Sequence, residues 1–548
     1  MKYICNPMNL PYKYQFVRMD GRVRAFREAA DPSLILFKGR YYMFPSMTAG
    51  FFTSDDLADW EFHPYLQDMV FTDYAPDVCV VGDSIWLNSS SSDRKCPFYR
   101  SKDPVSEPFE EFPGFAVYWD PCTFLDDDGR VYLYFGCSNE KPIYGVEMNP
   151  ETMSPLGSPV PLIHADPDHL GWERRAEDNV SGEDPRPWVE GSWMTKFNGR
   201  YYLQYAAPGT EFNIYCDSVY VSNAPLGPFT PAENNPFSLK PGGFISAAGH
   251  GSAIQLADGS WRHVSTMRIS LAHMFERRVG IWPMGFDADG EMYCDQRFGD
   301  WPMPVSAQPW SDPEWMLLSY NKPARATGGT HPERAVNEEI RDWWQASDSR
   351  DALEIDLEQV CDVRAIQINF ADSDLFMDMD FPEERRVDTE PRVTRWRMEG
   401  STDGEGWFTI ADKTQVNTNL PHDLIVREDG FACRYIRVTD FELPFGQPAK
   451  VSGLRVFGHA KGEKPAVPTG SAVRADDMDM LVKWHAENAD GVCVLWGHAP
   501  DKLYHSCLVH GGTEKHIGAL AYGQSVYLRI DAFNACGITR GEPFVLED

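Results

Sequence analysis

A glutamate between two tryptophans, Glu190, has surroundings that could tune a carboxyl group for acid catalysis. It lies in the stretch Pro-Trp-Val-Glu-Gly-Ser-Trp at residues 187–193. The apolar neighbours indicate poor solvation, and burial raises the pKa of a carboxyl group. Gly191 lets a partner group approach closely because it has no side chain. A protonated carboxyl in an aromatic cleft can act as a general acid, whereas a carboxylate that only caps a strand end is the structural alternative.

Related stretches recur through the first three hundred residues. Each begins with a polar residue, continues as a short strand-like run, passes a glycine turn and ends in an aromatic run. The polar residues that begin the five stretches are Asp31, Asp77, Asp120, Glu190 and His250. They are 46, 43, 70 and 60 residues apart, which is close to the length of one propeller blade with insertions in the last two.

These repeats predict a five-bladed β-propeller. The innermost strand of a blade begins at the central axis, so the five polar residues are expected to gather in an axial pocket. Crowding of like charges is costly, which favours a functional site over a purely structural ring. For Asp77, capping of a strand end remains an equal alternative.

The ordered motifs resemble those of glycoside hydrolase family 43. Over about residues 25–305, this similarity is carried by Ala-Asp-Pro-Ser at 30–33, Tyr-Ala-Pro-Asp at 74–77, Trp-Asp-Pro at 119–121, Val-Glu-Gly-Ser at 189–192 and Gly-His-Gly-Ser at 249–252. The resemblance implies that Asp31 is the catalytic base and that Glu190 is the general acid. It also implies that Asp120 modulates the pKa of the acid.

The chemistry of these three carboxylates agrees with the resemblance. Inverting hydrolysis needs an acid and a base roughly 6.5–9.5 Å apart, and opposite sides of a propeller axis can supply that gap. The family implies an inverting exo-glycoside hydrolase that releases terminal α-L-arabinofuranosyl or β-D-xylosyl units from plant polysaccharide fragments. The alternatives are a non-catalytic carbohydrate-binding propeller, or an exo-glycosidase for another sugar such as galactofuranose or galactose.

The expected substrate-binding residues surround the three carboxylates. They are Asp77, Trp119, Trp188, His250 and Arg278, the last in a Phe-Glu-Arg-Arg-Val-Gly stretch that resembles the family's arginine motif. The insertion at residues 164–186 is expected to form a wall of the pocket. No cofactor is expected to be required. The resemblance implies that His250 either holds a structural calcium ion on the axis, through water, or orders a water network.

Composition limits the partners of this chain. The formal net charge of −32 disfavours nucleic acid and anionic membrane surfaces, so a neutral oligosaccharide is the expected partner. The 12 cysteines show no metal-binding or disulfide spacing and are expected to be reduced. The first twenty residues lack the apolar core of a signal peptide, which predicts a cytoplasmic protein unless a signal was removed. The oligomeric state is left open.

Three all-β units are expected along the chain. Residues 1–320 are predicted to be the five-bladed propeller. Residues 325–460 resemble a discoidin-like (F5/8 type C) jelly-roll β-sandwich, which serves either as a carbohydrate-binding module or as a buttress. Residues 464–548 resemble a fibronectin type III-like β-sandwich, a spacer or packing partner.

Overall fold

A computed structural model describes residues 1–69, 74–180, 186–380 and 385–547. Within these ranges the chain forms strands, turns and four short 3₁₀-helices, with no α-helix. The 3₁₀-helices are Gly171–Glu173, Glu177–Asn179, Pro332–Val336 and Pro444–Gly446. No helix in the described ranges is long and apolar enough to cross a membrane.

Five sets of antiparallel strands confirm the predicted propeller. Each set runs outward from its innermost strand, and a parallel bridge between Cys216 and Ala248 joins the fourth set to the fifth. From the first blade to the fifth, the strands are Ala30–Phe37, Arg40–Ser46, Gly50–Ser54 and Glu61–Pro64; Asp77–Val81, Ser84–Asn88, Phe98–Ser101 and Glu110–Phe112; Cys122–Leu125, Val131–Phe135, Ile143–Met148 and Val160–Ile163; Glu190–Phe197, Arg200–Ala207, Cys216–Ser222 and Thr230–Pro231; and Ser246–Gln255, Trp261–Arg268, Arg277–Phe286 and Met292–Cys294.

The glycine turns explain why each blade opens with a tight hairpin. The first hairpins of blades one, two and four have two-residue loops, and those of blades three and five have longer loops. Both kinds of turn need left-handed backbone, which glycine adopts without steric cost. The glycines of these first hairpins, with their φ angles, are Gly39 (81°), Gly82 (65°), Gly129 (84°), Gly199 (78°) and Gly259 (88°).

Side chains near the start of the inner strands join neighbouring blades. In four cases the side chain accepts a hydrogen bond from a backbone N–H of the next blade. The pairs are Ser33 with Val78 (3.1 Å), Asp77 with Thr123 (2.7 Å), Cys122 with Met194 (3.3 Å) and Ser252 with Leu34 (3.1 Å). These bonds fix the inner strands relative to one another around the axis.

The N-terminal residues do not form part of a blade. Strand Tyr3–Ile4 pairs with Met303–Pro304, and the hairpin of Lys13–Met19 and Arg22–Glu28 forms a separate sheet. That sheet is completed by two strands from the second half of the chain, Phe376–Met377 and Arg385–Val387.

An eight-stranded sheet follows the propeller. It consists of Met316–Leu317, Ala324–Ala326, Trp344–Gln345, Leu353–Phe370, Arg395–Ser401, Trp407–Asp412, His422–Glu442 and Lys450–His459. Its core contains Trp344, Trp396 and Ile436, all fully buried. Because Met316–Leu317 belongs to this sheet, strand pairing crosses the predicted boundary at residue 320.

The last part of the chain forms two sheets over a shared core. One sheet contains Thr469–Asp476, Asp479–His485 and Glu514–Ile517; the other contains Gly491–Gly497, His505–His510, Tyr527–Asn534, Gly537–Arg540 and Phe544–Val545. Met480 and Val482 of the first sheet pack with Val494 and Leu528 of the second. The discoidin-like and fibronectin type III-like assignments and the three sets of domain limits stay predictions, and Asp548 lies outside the described residues.

Candidate active site

One pocket on the propeller axis contains the three carboxylates predicted to be catalytic. Its volume is about 240 Å³. It is lined by Asp31, Tyr74, Trp119, Asp120, Cys137, Trp188, Glu190, Gly209, Thr210, Glu211, His250, Met274, Phe275 and Arg277. The polar residues that begin blades one, three, four and five therefore meet there.

A repeated backbone bend turns these side chains toward the axis. Asp31, Asp120 and His250 all have left-handed backbone, with φ angles of 48°, 49° and 48°, and Gly191 takes that conformation beside Glu190 with φ 64°. Strand register shifts at this point in the first, fourth and fifth blades. A bulge of this kind re-aims a side chain, and left-handed backbone at a non-glycine residue costs on the order of 1–3 kcal/mol. The shared bend therefore converges several polar side chains on one place.

Asp31 is surrounded by donors that stabilise its ionised form. Ser46 Oγ donates to Asp31 Oδ2 at 2.6 Å, and Arg277 Nη1 donates to Oδ1 at 2.9 Å. Thr266 Oγ1 also donates to Oδ1, at 3.2 Å. Burial alone would raise the pKa of Asp31, but Arg277, His250 and these hydroxyls lower it below its ordinary value. The arrangement keeps Asp31 ionised and able to accept a proton.

The surroundings of Glu190 favour its protonated form, in contrast to those of Asp31. Burial, and then repulsion from Asp120, raise its pKa to about 7, although Tyr215 and Cys137 donate to its oxygens. The Tyr215 hydroxyl donates to Glu190 Oε1 at 2.6 Å, and the Cys137 thiol donates to Oε2 at 3.0 Å. Glu190 therefore holds its proton at a pH where Asp31 has lost its own.

Asp120 and His250 lie between this acid and this base. Asp120 Oδ2 accepts from the Gly191 N–H at 3.3 Å, and His250 Nδ1 lies 3.7 Å from Asp120 Oδ2 and 3.4 Å from Asp31 Oδ1. Burial would lower the pKa of His250, but the surrounding carboxylates raise it above its ordinary value. A Cβ at Gly191 would meet the His250 ring at 2.8 Å, so only glycine lets the imidazole lie beside Glu190. His250 thus supplies positive charge to a carboxylate-rich pocket.

Aromatic side chains form much of the remaining wall. Trp119 and Trp188 line the pocket as predicted, together with Tyr74 and Phe275. The ring centroid of Tyr74 lies 6.4 Å from that of Trp119 and 5.7 Å from that of Phe275. These flat apolar faces suit the non-polar faces of a neutral ligand.

The insertion at 164–186 supports the pocket from behind, and its residues 181–185 lie outside the described part of the chain. Arg175 forms an ion pair of 2.9 Å with Glu211, which lines the pocket. The described part of the insertion also contacts the region predicted to be fibronectin type III-like, residues 464–548, through a β-bridge between Leu170 and Ala521. The described residues of the insertion do not line the pocket; they contact it through the ion pair with Glu211.

Two predicted substrate-binding residues are not in the pocket. Asp77 is 2% exposed, and its Oδ2 accepts from the Thr123 N–H of the next blade. The left-handed residue of the second blade is Ala75, with φ 44°, so Asp77 lies two positions beyond the bend that aims Asp31 and Asp120 at the axis. The prediction for Asp77 is wrong, and the alternative of a link at a strand end fits its contacts.

The prediction that Arg278 binds substrate is also wrong, because Arg278 does not line the pocket. It is fully buried, and its Nε contacts His422 Nε2 at 2.8 Å on the side away from the pocket. Its neighbour Arg277 is the arginine that lines the pocket. Side chains alternate along a strand, so only one of two adjacent arginines can face the axis.

Sequence reasoning did not identify Cys137, Tyr215 or Arg277. Cys137 and Tyr215 contact Glu190 from segments that begin no repeat, and neither belongs to a motif that indicates chemistry. For Arg277, the pair of arginines was the available signal, but it did not show which one faces inward.

The residues around His250 do not fit a calcium ion. Calcium prefers six to eight oxygen ligands, yet Asp31 is already paired with the Arg277 guanidinium and His250 itself carries a raised pKa. In the described ranges, two groups of three side chains could hold a metal: Asp120, Cys137 and Glu190; and Glu233, Glu291 and His498. His250 belongs to neither group.

Comparison with known proteins agrees with this geometry. Residues 26–292 match the model of glycosyl hydrolases family 43. These residues form a family 43 domain. The matched residues include every residue that lines the pocket and all strands of the five blades except the end of the last one, Met292–Cys294.

Individual relatives match parts of the chain. A beta-xylosidase of Xylanibacter ruminicola is 30% identical over 150 residues, which are 24% of this chain and 43% of that protein. Xylosidase/arabinosidase 43A of Humicola insolens is 24% identical over 326 residues, 49% of this chain and 96% of that protein. The crystal structure of a thermostable family-43 glycoside hydrolase is 25% identical and aligns with a TM-score of 0.43 over 51% of this chain and 95% of that one. This chain thus spans less than half of the Xylanibacter protein that it matches.

Proposed function

We propose that this chain is a glycoside hydrolase that removes one terminal sugar at a time with inversion of configuration. The observation that supports this most is the pair of oppositely tuned carboxyl groups in one pocket. The pKa of Glu190 is raised to about 7, whereas that of Asp31 is lowered. Two carboxyl groups whose environments separate their pKa values are the arrangement that acid–base hydrolysis requires.

In the proposed reaction Glu190 and Asp31 each move one proton. Glu190 donates its proton to the leaving glycosidic oxygen as the bond to the anomeric carbon breaks. Asp31 takes a proton from the water that attacks the opposite face of that carbon. Asp120 keeps Glu190 protonated before the reaction by charge repulsion. Proton exchange with solvent then returns Glu190 and Asp31 to their starting states.

The size and lining of the pocket favour a single neutral sugar at the end of a chain. A volume of about 240 Å³ is below the roughly 300–1,000 Å³ typical of pockets for drug-sized ligands. The names of two relatives include xylosidase and arabinosidase. We therefore propose terminal α-L-arabinofuranosyl or β-D-xylosyl units of plant polysaccharide fragments as the substrate.

A panel of aryl glycosides tests this proposal. We expect turnover of aryl α-L-arabinofuranoside or β-D-xyloside by the full chain, and loss of that turnover in Asp31→Ala. If the chain instead prefers the galactofuranoside or the galactoside, the proposed reaction would stand but the proposed sugar would be wrong. Binding of free sugars without turnover of any member of the panel would instead favour a carbohydrate-binding propeller.

A further inference from the structure

A strand from the second half of the chain lies directly against the propeller's N-terminal hairpin. Arg385–Val387 pairs with Lys13–Met19, in a register that places Arg385 opposite Val17. An ion pair of 2.7 Å between Arg27 and Asp372, both with fully buried side chains, joins the same two regions. Buried ionic contacts of this kind hold the second half of the chain in a fixed position beside the pocket.

The side chain of Arg385 extends from this strand to the pocket wall. Its guanidinium donates to the Tyr74 hydroxyl and forms an ion pair with Glu28. It also lies 5.2 Å from the ring centroid of Tyr74 and 5.6 Å from that of Phe275. Both rings line the pocket, so a residue of the second half contacts two walls of the site.

Glu28 connects Arg385 to the predicted base. Glu28 is fully buried, and its Oε1 accepts from Arg277 Nη2 at 2.7 Å and from Nε at 3.1 Å. Arg277 Nη1 in turn donates to Asp31 Oδ1. Two arginines therefore share two buried carboxylates. Removal of Arg385 would leave Arg277 to balance Glu28 while it also pairs with Asp31, which His250 approaches as well.

We propose that Arg385 is a positioning residue for the pocket of the family 43 domain. It acts in two ways: it fixes Tyr74 in the wall, and it neutralises Glu28 so that Arg277 stays on Asp31. The second half of the chain is thereby part of the working site. This inference rests on the proposed hydrolase function for its kinetic tests.

The test compares four variants of the full chain, after circular dichroism and thermal unfolding have shown which of them fold. Arg385→Met removes the guanidinium at similar length, and we expect kcat to fall and KM to rise on the best aryl glycoside. We expect a combined loss in kcat/KM of roughly 10–100-fold, the scale produced by small misplacements in an active site. Arg385→Lys retains charge beside Glu28 but lacks the planar fork, so it should recover part of the kcat loss. If Arg385→Met does not fold, Arg385→Lys alone should show a raised KM.

A charge-compensating double variant separates the two effects. In Glu28→Gln/Arg385→Met no unpaired carboxylate remains, so kcat should return toward the wild-type value while KM stays raised by the loosened Tyr74. Arg386→Met is the matched control, because Arg386 is the next residue of the same strand and is exposed. The proposal is overturned if Arg385→Met matches Arg386→Met in both constants, or if the double variant is as slow as the single one.

Binding of free sugar gives a readout that is independent of turnover. Trp119 and Trp188 line the pocket, so titration of their fluorescence with the preferred monosaccharide measures affinity in an enzyme or in a binding protein. We expect weaker binding for Arg385→Met and unchanged binding for Arg386→Met. Unchanged affinity in both variants would contradict the role of Arg385 whatever the outcome for catalysis, whereas a wild-type chain that binds sugar without turnover would contradict only the proposed function.

Discussion

Asp120→Asn tests the electrostatic origin of the proposed acid. Burial and nearby charge raise the pKa of Glu190 from its ordinary value of 4.5 to about 7. Burial is the largest cause, repulsion from Asp120 is the second and His250 opposes both. We therefore expect removal of the charge on Asp120 to lower the pKa of Glu190, so that the alkaline limb of the pH profile moves below about 7 in the variant.

That shift gives a specific change in rate. With a pKa of about 7, about a quarter of Glu190 is protonated at pH 7.5 and nearly all of it at pH 5, so a lower pKa removes far more of the acid form at pH 7.5 than at pH 5. The ratio of variant to wild-type kcat/KM should therefore drop between pH 5 and pH 7.5, by up to about tenfold for each pH unit by which the limb moves. The assay is kcat/KM against pH with a substrate that has a sugar leaving group, since such a group needs the proton.

Asp126→Asn is the matched control for this experiment. Asp126 follows the outer end of the same inner strand, is 4% exposed, and is bonded to Lys196 and Tyr201 away from the pocket. Its pH profile should coincide with that of the wild type. An alkaline limb that stays in place or moves upward in Asp120→Asn would refute the idea that charge on Asp120 keeps Glu190 protonated.

Three further predictions follow from the same contacts. Glu190→Ala should lower turnover of a substrate with a sugar leaving group by roughly 10²–10⁴-fold and that of an activated aryl glycoside far less, whereas Asp31→Ala should damage both about equally; equal losses for Glu190→Ala would place the acid elsewhere. Burial raises the pKa of Asp77 to about 7, so its protonated folded form is favoured and stability falls as pH rises from about 4 to about 7. Between pH 5 and pH 8, the free energy of unfolding measured in urea should therefore fall by about 2–3 kcal/mol less in Asp77→Asn than in the wild type. An equal fall in both proteins would refute the raised pKa of Asp77. Truncation after residue 320 removes the partners of buried Arg27 and Arg278 and should abolish soluble, active protein; a soluble truncated chain with wild-type kcat/KM would contradict this.

The propeller was predictable because its signals are local. Each blade begins with a polar residue and contains a glycine that the first hairpin requires, so the pattern is complete within about fifteen residues. The same repeats predicted that Asp31, Asp120 and Glu190 lie together. Asp77 was misjudged because the repeats were aligned on the acidic residue. Alignment on the following proline places Ala75, and not Asp77, at the bend.

The contacts between distant segments were not predictable from one sequence. Arg385 lies more than three hundred residues from Glu28 and Tyr74, and no local pattern marks such a pairing. The second half of the chain was expected to serve as a carbohydrate-binding module, a buttress or a spacer. It instead supplies the Arg385 guanidinium, which pairs with the buried carboxylate of Glu28; Glu28 in turn contacts the pocket residue Arg277.

The anomer of the first product tests the central claim most directly. Proton NMR of the sugar released by the wild-type chain, recorded before mutarotation, distinguishes the two outcomes. If Asp31 activates water and Glu190 protonates the leaving oxygen, the first product has the anomeric configuration opposite to that of the substrate. A product that retains the configuration of the substrate would show that a carboxylate attacks the sugar, and would contradict the role of Asp31 as a base.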